Sequence, residues 1–412
     1  MKYNLKVNKS FRYAGFVLLI LVIVLASLGA TSPANAKQKS ASQTAIANYV
    51  AAQHNPNLSD EEKIKATIDA YFITRYESQK LLETQDFSQV LEDDTLAWVK
   101  KEKDKREIEL YVATLFDLKY VSYSYRLDYD SIEIKNNKAI VQLRESHEVV
   151  FDALAPDVSK LTNLEHVLTL HNKNDAWVIY QDEYQDELSQ LLNNETKEKI
   201  KEQVDQNYQD DLKRKSTSFQ LGQKVLARIF SRPFVLNNYS YNRTAARNYA
   251  DTYWSSYNTA WYVTNPGTDC ANFVSQAMYA GEGKTPPDTS GMNTAGSYTY
   301  DWYYIWNNSG SLPWVNVQSQ YTRIALNNSG RIGPYGTGST SLCSVRLGDI
   351  VQLYDGTSWF HEGIVVESPY PYCYSSSYYK VDTHTTDRYH YPLSNWAAYQ
   401  MRYILISGWR GQ

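Results

Sequence analysis

The chain has 412 residues, too many for one ordinary domain, and 43% of them are hydrophobic, enough to fill real cores. A net charge of −4, from 41 basic and 45 acidic side chains, argues against a nucleic-acid binder, which needs a basic face to displace counterions from phosphates. The unusual component is aromatic: 36 Tyr and 10 Trp supply flat surfaces that suit sugar rings and amides, and that also serve simply to fill strands and cores.

Lys2, Lys6, Lys9 and Arg12 precede an apolar run over 14–28, and Ala34-Asn35-Ala36 offers a small-x-small cleavage pattern. Residues 1–36 are therefore expected to be a secretory signal peptide, with an uncleaved membrane anchor as the alternative; either puts the remainder outside the cytoplasm. Residues 37–58, rich in Ala, Ser, Gln and Asn, read as a flexible tether. Ser59-Asp60-Glu61-Glu62 starts a helix, which Ile64, Ile68, Tyr71 and Phe72 continue at helical spacing, and a second helix is expected over 96–118. The period then becomes strand-like over 121–127, 131–134, 139–150, 164–171 and 176–180, with Asn-rich turns between.

Helices followed by antiparallel strands make residues 59–192 a small α+β unit. In outline it resembles the nuclear-transport-factor-2-like fold. It carries no catalytic constellation. His147, His166 and His171 lie in or beside strand patterns, where lone histidines are usually satisfied structural residues; His166 and His171 are five apart, on opposite strand faces, which argues against a shared metal. Residues 193–237 are highly charged and read as a solvated helical linker, and a last domain is expected over 238–412.

That domain opens with a helix in which Ala246, Tyr249, Ala250 and Tyr253 recur at helical spacing. After a turn-rich stretch at 265–268, Asp269-Cys270-Ala271-Asn272-Phe273-Val274 enters a second, apolar helix. A cysteine there meets unpaired N–H groups that favour a thiolate and could hold an oxyanion. The three cysteines are Cys270, Cys343 and Cys373, an odd number that leaves at least one thiol unpaired; a Cys343–Cys373 bridge is open, and Cys270 is the thiol to explain. Two strands follow around Asp355-Gly356, the second opening at His361, and residues 380–387 read as a further strand. Helix-borne cysteine, strand-borne histidine and a polar residue on the next strand make the order a thiol hydrolase needs. Gly-x-Ser-x-Gly, His-Glu-x-x-His, Cys-x-x-Cys and phosphate-loop patterns do not occur, so no metal or cofactor is expected.

The segments TDCANFVSQAMYAGEG, GDIVQLYD, HEGIVVE and THTTDRYHYPLSNW, with the helix YNRTAARNYADTYW before them, resemble in order and spacing the "putative amidase domain" family of secreted Gram-positive bacterial proteins, related to the NlpC/P60 and CHAP peptidases. The resemblance implies a papain-like α+β domain with the cysteine helix packed on an antiparallel sheet. It implies Cys270 as nucleophile and His361 as base, with the orienting residue left between His384 and Asp382, two apart and so expected on one strand face. The implied function is hydrolysis of an amide bond in peptidoglycan or a peptide, with contact to the cell wall; the alternative is a secreted wall-binding or scaffold protein that keeps the fold without the chemistry.

Overall fold

A computed structural model describes residues 40–221, 238–261, 269–286, 288–305, 309–326 and 330–411. The expected signal peptide, the end of the expected linker and the turn-rich stretch at 265–268 lie outside the described residues. No helix among the described residues is long and apolar enough to cross a membrane. From Ser40 onward the chain forms one compact unit of mixed α and β structure.

The N-terminal half comprises α1 (Ala41–Gln53), α2 (Asp60–Leu81), α3 (Ala97–Phe116), and the strands β1 (Tyr120–Lys135), β2 (Lys138–Phe151), β3 (Val158–Lys173) and β4 (Ala176–Tyr184). Helix α2 starts as its sequence dictates: Ser59 and Glu62 form a reciprocal capping box. Helix α1 corrects the expected tether. Its small polar composition hides a face in which Ala45, Tyr49 and Gln53 recur every four residues and are buried. The Gln53 amide donates to the Lys63 carbonyl at 3.0 Å and accepts from the Trp177 main-chain N–H at 2.9 Å, so a polar residue fixes this helix.

Two helices follow, α4 (Glu187–Asn194) and α5 (Lys197–Leu221). The second is helical as its charges suggest, but it is docked rather than solvated. Ile200 and Val204, one turn apart, are buried in the core, and Asn207 donates to the carbonyls of Ala397 at 2.7 Å and Tyr399 at 2.9 Å.

In the C-terminal half, β5 (Asn238–Tyr239), α6 (Arg243–Tyr253) and α7 (Cys270–Gly281) lead into a short pair, β6 (Tyr304–Ile305) and β7 (Ser309–Gly310). Two small helices, α8 (Leu312–Val315) and α9 (Val317–Tyr321), precede β8 (Gly333–Ser339), β9 (Ile350–Tyr354), β10 (Trp359–Glu367), β11 (Lys380–Thr383), β12 (Asp387–Pro392) and β13 (Gln400–Arg410). Among the described residues, eleven strands join one sheet in the order β1-β2-β3-β12-β11-β10-β9-β13-β5, with β4 on β3 and β8 on β13. The two halves thus share a sheet: β12 pairs antiparallel with β3, Arg388 opposite Leu161.

Both faces of the C-terminal strands are covered. Ile350, Ile364, Val366, Ile404 and Ile406 pack against Phe273, Val274, Ala277 and Met278 of α7. Val351, Leu353, Val365 and Val381 face the other way, into a core with Val112 and Phe116 of α3 and Val204 of α5. This alternation decides which side chains can meet at the site.

Candidate active site

Cys270 is the first residue of α7 and only 6% exposed. Its packing neighbours are Ala271, Val317 and Trp359. Burial pushes the thiol up to about 12; the Glu362 and Asp269 carboxylates push the same way, while the main-chain N–H groups of Glu362 and Ala271 pull it down. The helix end alone therefore does not hold this thiol ionised. Cys343 and Cys373 form a disulfide with their Cα atoms 4.9 Å apart, which leaves Cys270 as the free thiol.

His361 does not join Cys270. On β10 it alternates with Glu362, and Glu362 shares the Ile364 face that α7 covers. The His361 ring instead lies on the opposite face, its Nε2 3.1 Å from Thr383 Oγ1 and 3.4 Å from Glu187 Oε1, with its edge against Trp396. Burial lowers this imidazole to about 4, a neutral ring at physiological pH, although Glu187 opposes the shift. The expected nucleophile–base pair is thus divided by the sheet: alternation from Ile364 puts position 361 on the far side.

His384 does come to the helix that carries Cys270. Strand β11 ends at Thr383 rather than continuing to 387, and the following turn carries His384 onto the N-terminus of α7. Its Nδ1 lies 2.7 Å from Asp269 Oδ2, its Nε2 lies 2.6 Å from the Tyr253 carbonyl, and its ring stacks on Phe273 at 4.0 Å between centroids. Thr385 Oγ1 accepts from the Asp269 main-chain N–H at 3.2 Å, fastening the same turn. Asp269 also accepts from the Asn272 amide at 2.7 Å, so it orients both histidine and helix.

Asp382 does not share a face with His384, because the strand stops between them. Asp382 Oδ1 accepts from the His390 main-chain N–H at 2.6 Å, and burial pushes the carboxyl up to about 8. It stands beside α6 and β12, away from the His384–Asp269 pair.

Glu362 was not singled out from sequence. It is fully buried beside Cys270 and raised to about 8 by burial. Gln352 Nε2 donates to its Oε2 at 2.5 Å, Arg402 Nε donates to Gln352 Oε1 at 2.8 Å, and Oε1 has no hydrogen-bond partner. A charged residue two positions before Ile364 in a strand buried on both faces was the available signal, since such a carboxylate must be protonated or paired.

No curated protein matches the chain. Among solved structures, the Kfla4162 protein from Kribbella flavida is 13% identical with a TM-score of 0.23, covering 32% of this chain and 99% of that one. The intermembrane space region of the chloroplast protein ARC6 is 16% identical with a TM-score of 0.21, covering 31% of this chain and 98% of that one. Scores this low carry no argument about fold or function. Residues 240–406, which include Cys270, Glu362 and His384, match the family described as "Putative amidase domain", and this supports amide hydrolysis as the activity of the C-terminal half.

Proposed function

We propose that the C-terminal half hydrolyses an amide bond in peptidoglycan, outside the cytoplasm, with Cys270 as nucleophile. The observation that carries this reading is a free cysteine opening the buried helix α7, inside the segment that matches the amidase family. The resting thiol is protonated, so attack requires proton transfer to a base within the substrate complex. His384 is the imidazole at the helix end, held there through Nδ1 by Asp269, whereas His361 faces the far side of the sheet; to act as base, the His384 Nε2 leaves the Tyr253 carbonyl in the substrate complex. The thiolate adds to the carbonyl carbon, and the N–H groups at the start of α7 receive the negative oxygen. The His384 imidazolium then protonates the departing amine. Water, losing a proton to His384, hydrolyses the thioester and returns the thiol. The reading carries with it a papain-like arrangement for this half and a nuclear-transport-factor-2-like one for the first. The Cys343–Cys373 disulfide is in keeping with export to an oxidising compartment.

The test is turnover of purified cell-wall sacculi, with products identified by mass spectrometry. Cys270→Ser and His384→Gln are each expected to lose about 100-fold or more, and His361→Gln to stay within about tenfold of the parent once folded. Undiminished turnover in Cys270→Ser sinks the proposal; loss in His361→Gln with retention in His384→Gln reverses the choice of base.

A second reading, a wall-binding protein without turnover, is favoured by one observation: the thiol is buried and raised to about 12. It predicts sacculus binding without product release, and binding that survives Cys270→Ser.

A further inference from the structure

Where the end of α6 meets β11 and β12, a second group of side chains converges that the proposed amide hydrolysis does not use. Asp251 comes from the last turn of α6, Asp382 from β11 and His390 from β12. One ligand atom from each lies within 4.8 Å of the other two. His390 Nε2 is 3.0 Å from Asp251 Oδ1, and His390 Nδ1 is 3.0 Å from Glu367 Oε1. Asp382 is fully buried, and while its Oδ1 accepts from the His390 main chain, its Oδ2 meets no N–H or hydroxyl donor and its side chain faces the Asp251 carboxyl. A buried carboxylate oxygen without a donor is costly, and such an oxygen calls for a proton or a cation.

We propose that Asp251, Asp382 and His390 form a three-ligand site for a divalent first-row metal cation of the zinc class, with Glu367 as the carboxylate that orients the histidine. The donor set is one imidazole and two carboxylates, which suits a borderline ion that accepts nitrogen and oxygen together. Donors each about 2.1 Å from a tetrahedral ion lie roughly 3.4 Å apart, close to the His390–Asp251 separation already present. The Glu367 contact fixes which ring nitrogen is free: with Nδ1 donating to the carboxylate, Nε2 is the ligand atom. Neighbouring cations take up the outer oxygens of the cluster. Arg247 Nε lies 2.6 Å from the outer oxygen of Asp251, and Lys380 Nζ lies 3.1 Å from the outer oxygen of Glu367 while also bonding Asp157. An ion there would clip the end of α6 to the β11–β12 pair, the same pair whose turn delivers His384.

The experiment uses the full chain, stripped with a chelator and titrated with zinc against a chromophoric competitor. Binding of one equivalent tighter than about micromolar is expected, with Asp382→Asn and Asp251→Asn each weaker by about 30-fold or more and Glu367→Gln weaker by about tenfold. His171→Gln, far from this group, should bind as the parent does. Zinc should also raise the melting temperature of the parent by several degrees, and that rise should vanish in Asp251→Asn. Absence of binding in the parent overturns the site and leaves a proton shared by Asp251 and Asp382 as the device that holds them. Unchanged affinity in Asp382→Asn overturns it too; if that variant does not fold, unchanged affinity in Asp251→Asn, at a partly exposed helix end, decides in the same way. None of these readouts uses turnover, so the outcome is separate from that of the Cys270 mechanism.

Discussion

Glu362 enters the interior on the Ile364 face of β10, where burial raises its carboxyl and the carboxylate in turn adds to the cost of ionising the Cys270 thiol. Raised from 4.5 to about 8, the native carboxyl keeps a proton that the unfolded chain releases. The stability this contributes is complete below the unfolded value and is lost as pH rises from about 4.5 through about 8. Glu362→Gln removes that dependence. The variant should match the parent near pH 5 and exceed it near pH 9, by at most about 4 kcal/mol at about 1.4 kcal/mol per unit. Urea denaturation at the two pH values checks this, and a constant difference between them refutes the assigned protonation. The residue also shows the limit of sequence reading here. Cys270 was legible from its place before an apolar helix. The side on which His361 points was not, because Ile364, Val365 and Val366 are all buried and alternation leaves no polar face to orient the strand.

Among elements, α5 is where charge misleads most about docking. A run dense in Glu, Lys, Gln and Asp promises solvent on every side, yet Ile200, Val204 and Asp211 form one buried stripe. Asp211 accepts from the Ser376 main-chain N–H at 3.0 Å, and Asn207 caps two carbonyls of the segment before β13. The bonds are made by polar residues to backbone far away in sequence, which no hydropathy period can announce. Asn207→Ala should destabilise by roughly 1–3 kcal/mol, since two buried carbonyls lose their donor. Limited proteolysis under native conditions should spare 197–214; rapid cleavage there would return α5 to the status of a linker. In the first half β2 was legible nearly to its ends, because it alternates over one buried and one open face, whereas β1, which buries no side chain, joins the two expected strands at 121–127 and 131–134, and β3 and β4 run past their expected bounds. The end of β11 was hidden by its sequence: residues 380–387 carry no Gly or Pro to mark the turn, and Thr385 adopts a φ of +89° without one.

On the scale of the molecule, one continuous sheet runs through both expected domains, and this predicts that they unfold together. The joint is built from three kinds of contact. Ladder bonds run between β3 and β12, with Ser159 Oγ donating to the His390 carbonyl at 2.8 Å. Apolar side chains of α3 and α5 share a core with Val351, Val365 and Val381. Glu187 accepts two bonds from Arg388, at 3.1 and 2.6 Å, with both residues buried. Arg388 in turn keeps the Glu187 carboxyl below its usual range against the opposing effect of burial. Breaking one partner of such a pair strands the other, so Glu187→Gln should cost about 3–5 kcal/mol. That loss should appear across the whole chain rather than in one half. Calorimetry of the parent should give a single transition with calorimetric and van't Hoff enthalpies in agreement, and Glu187→Gln should lower it without splitting it. A chain begun at residue 238 would bare the β12 edge and the apolar face beneath α3, and it should aggregate rather than fold. Two resolved transitions in the parent, or a soluble and cooperative C-terminal fragment, would mean that the shared sheet joins two independent domains instead of making one.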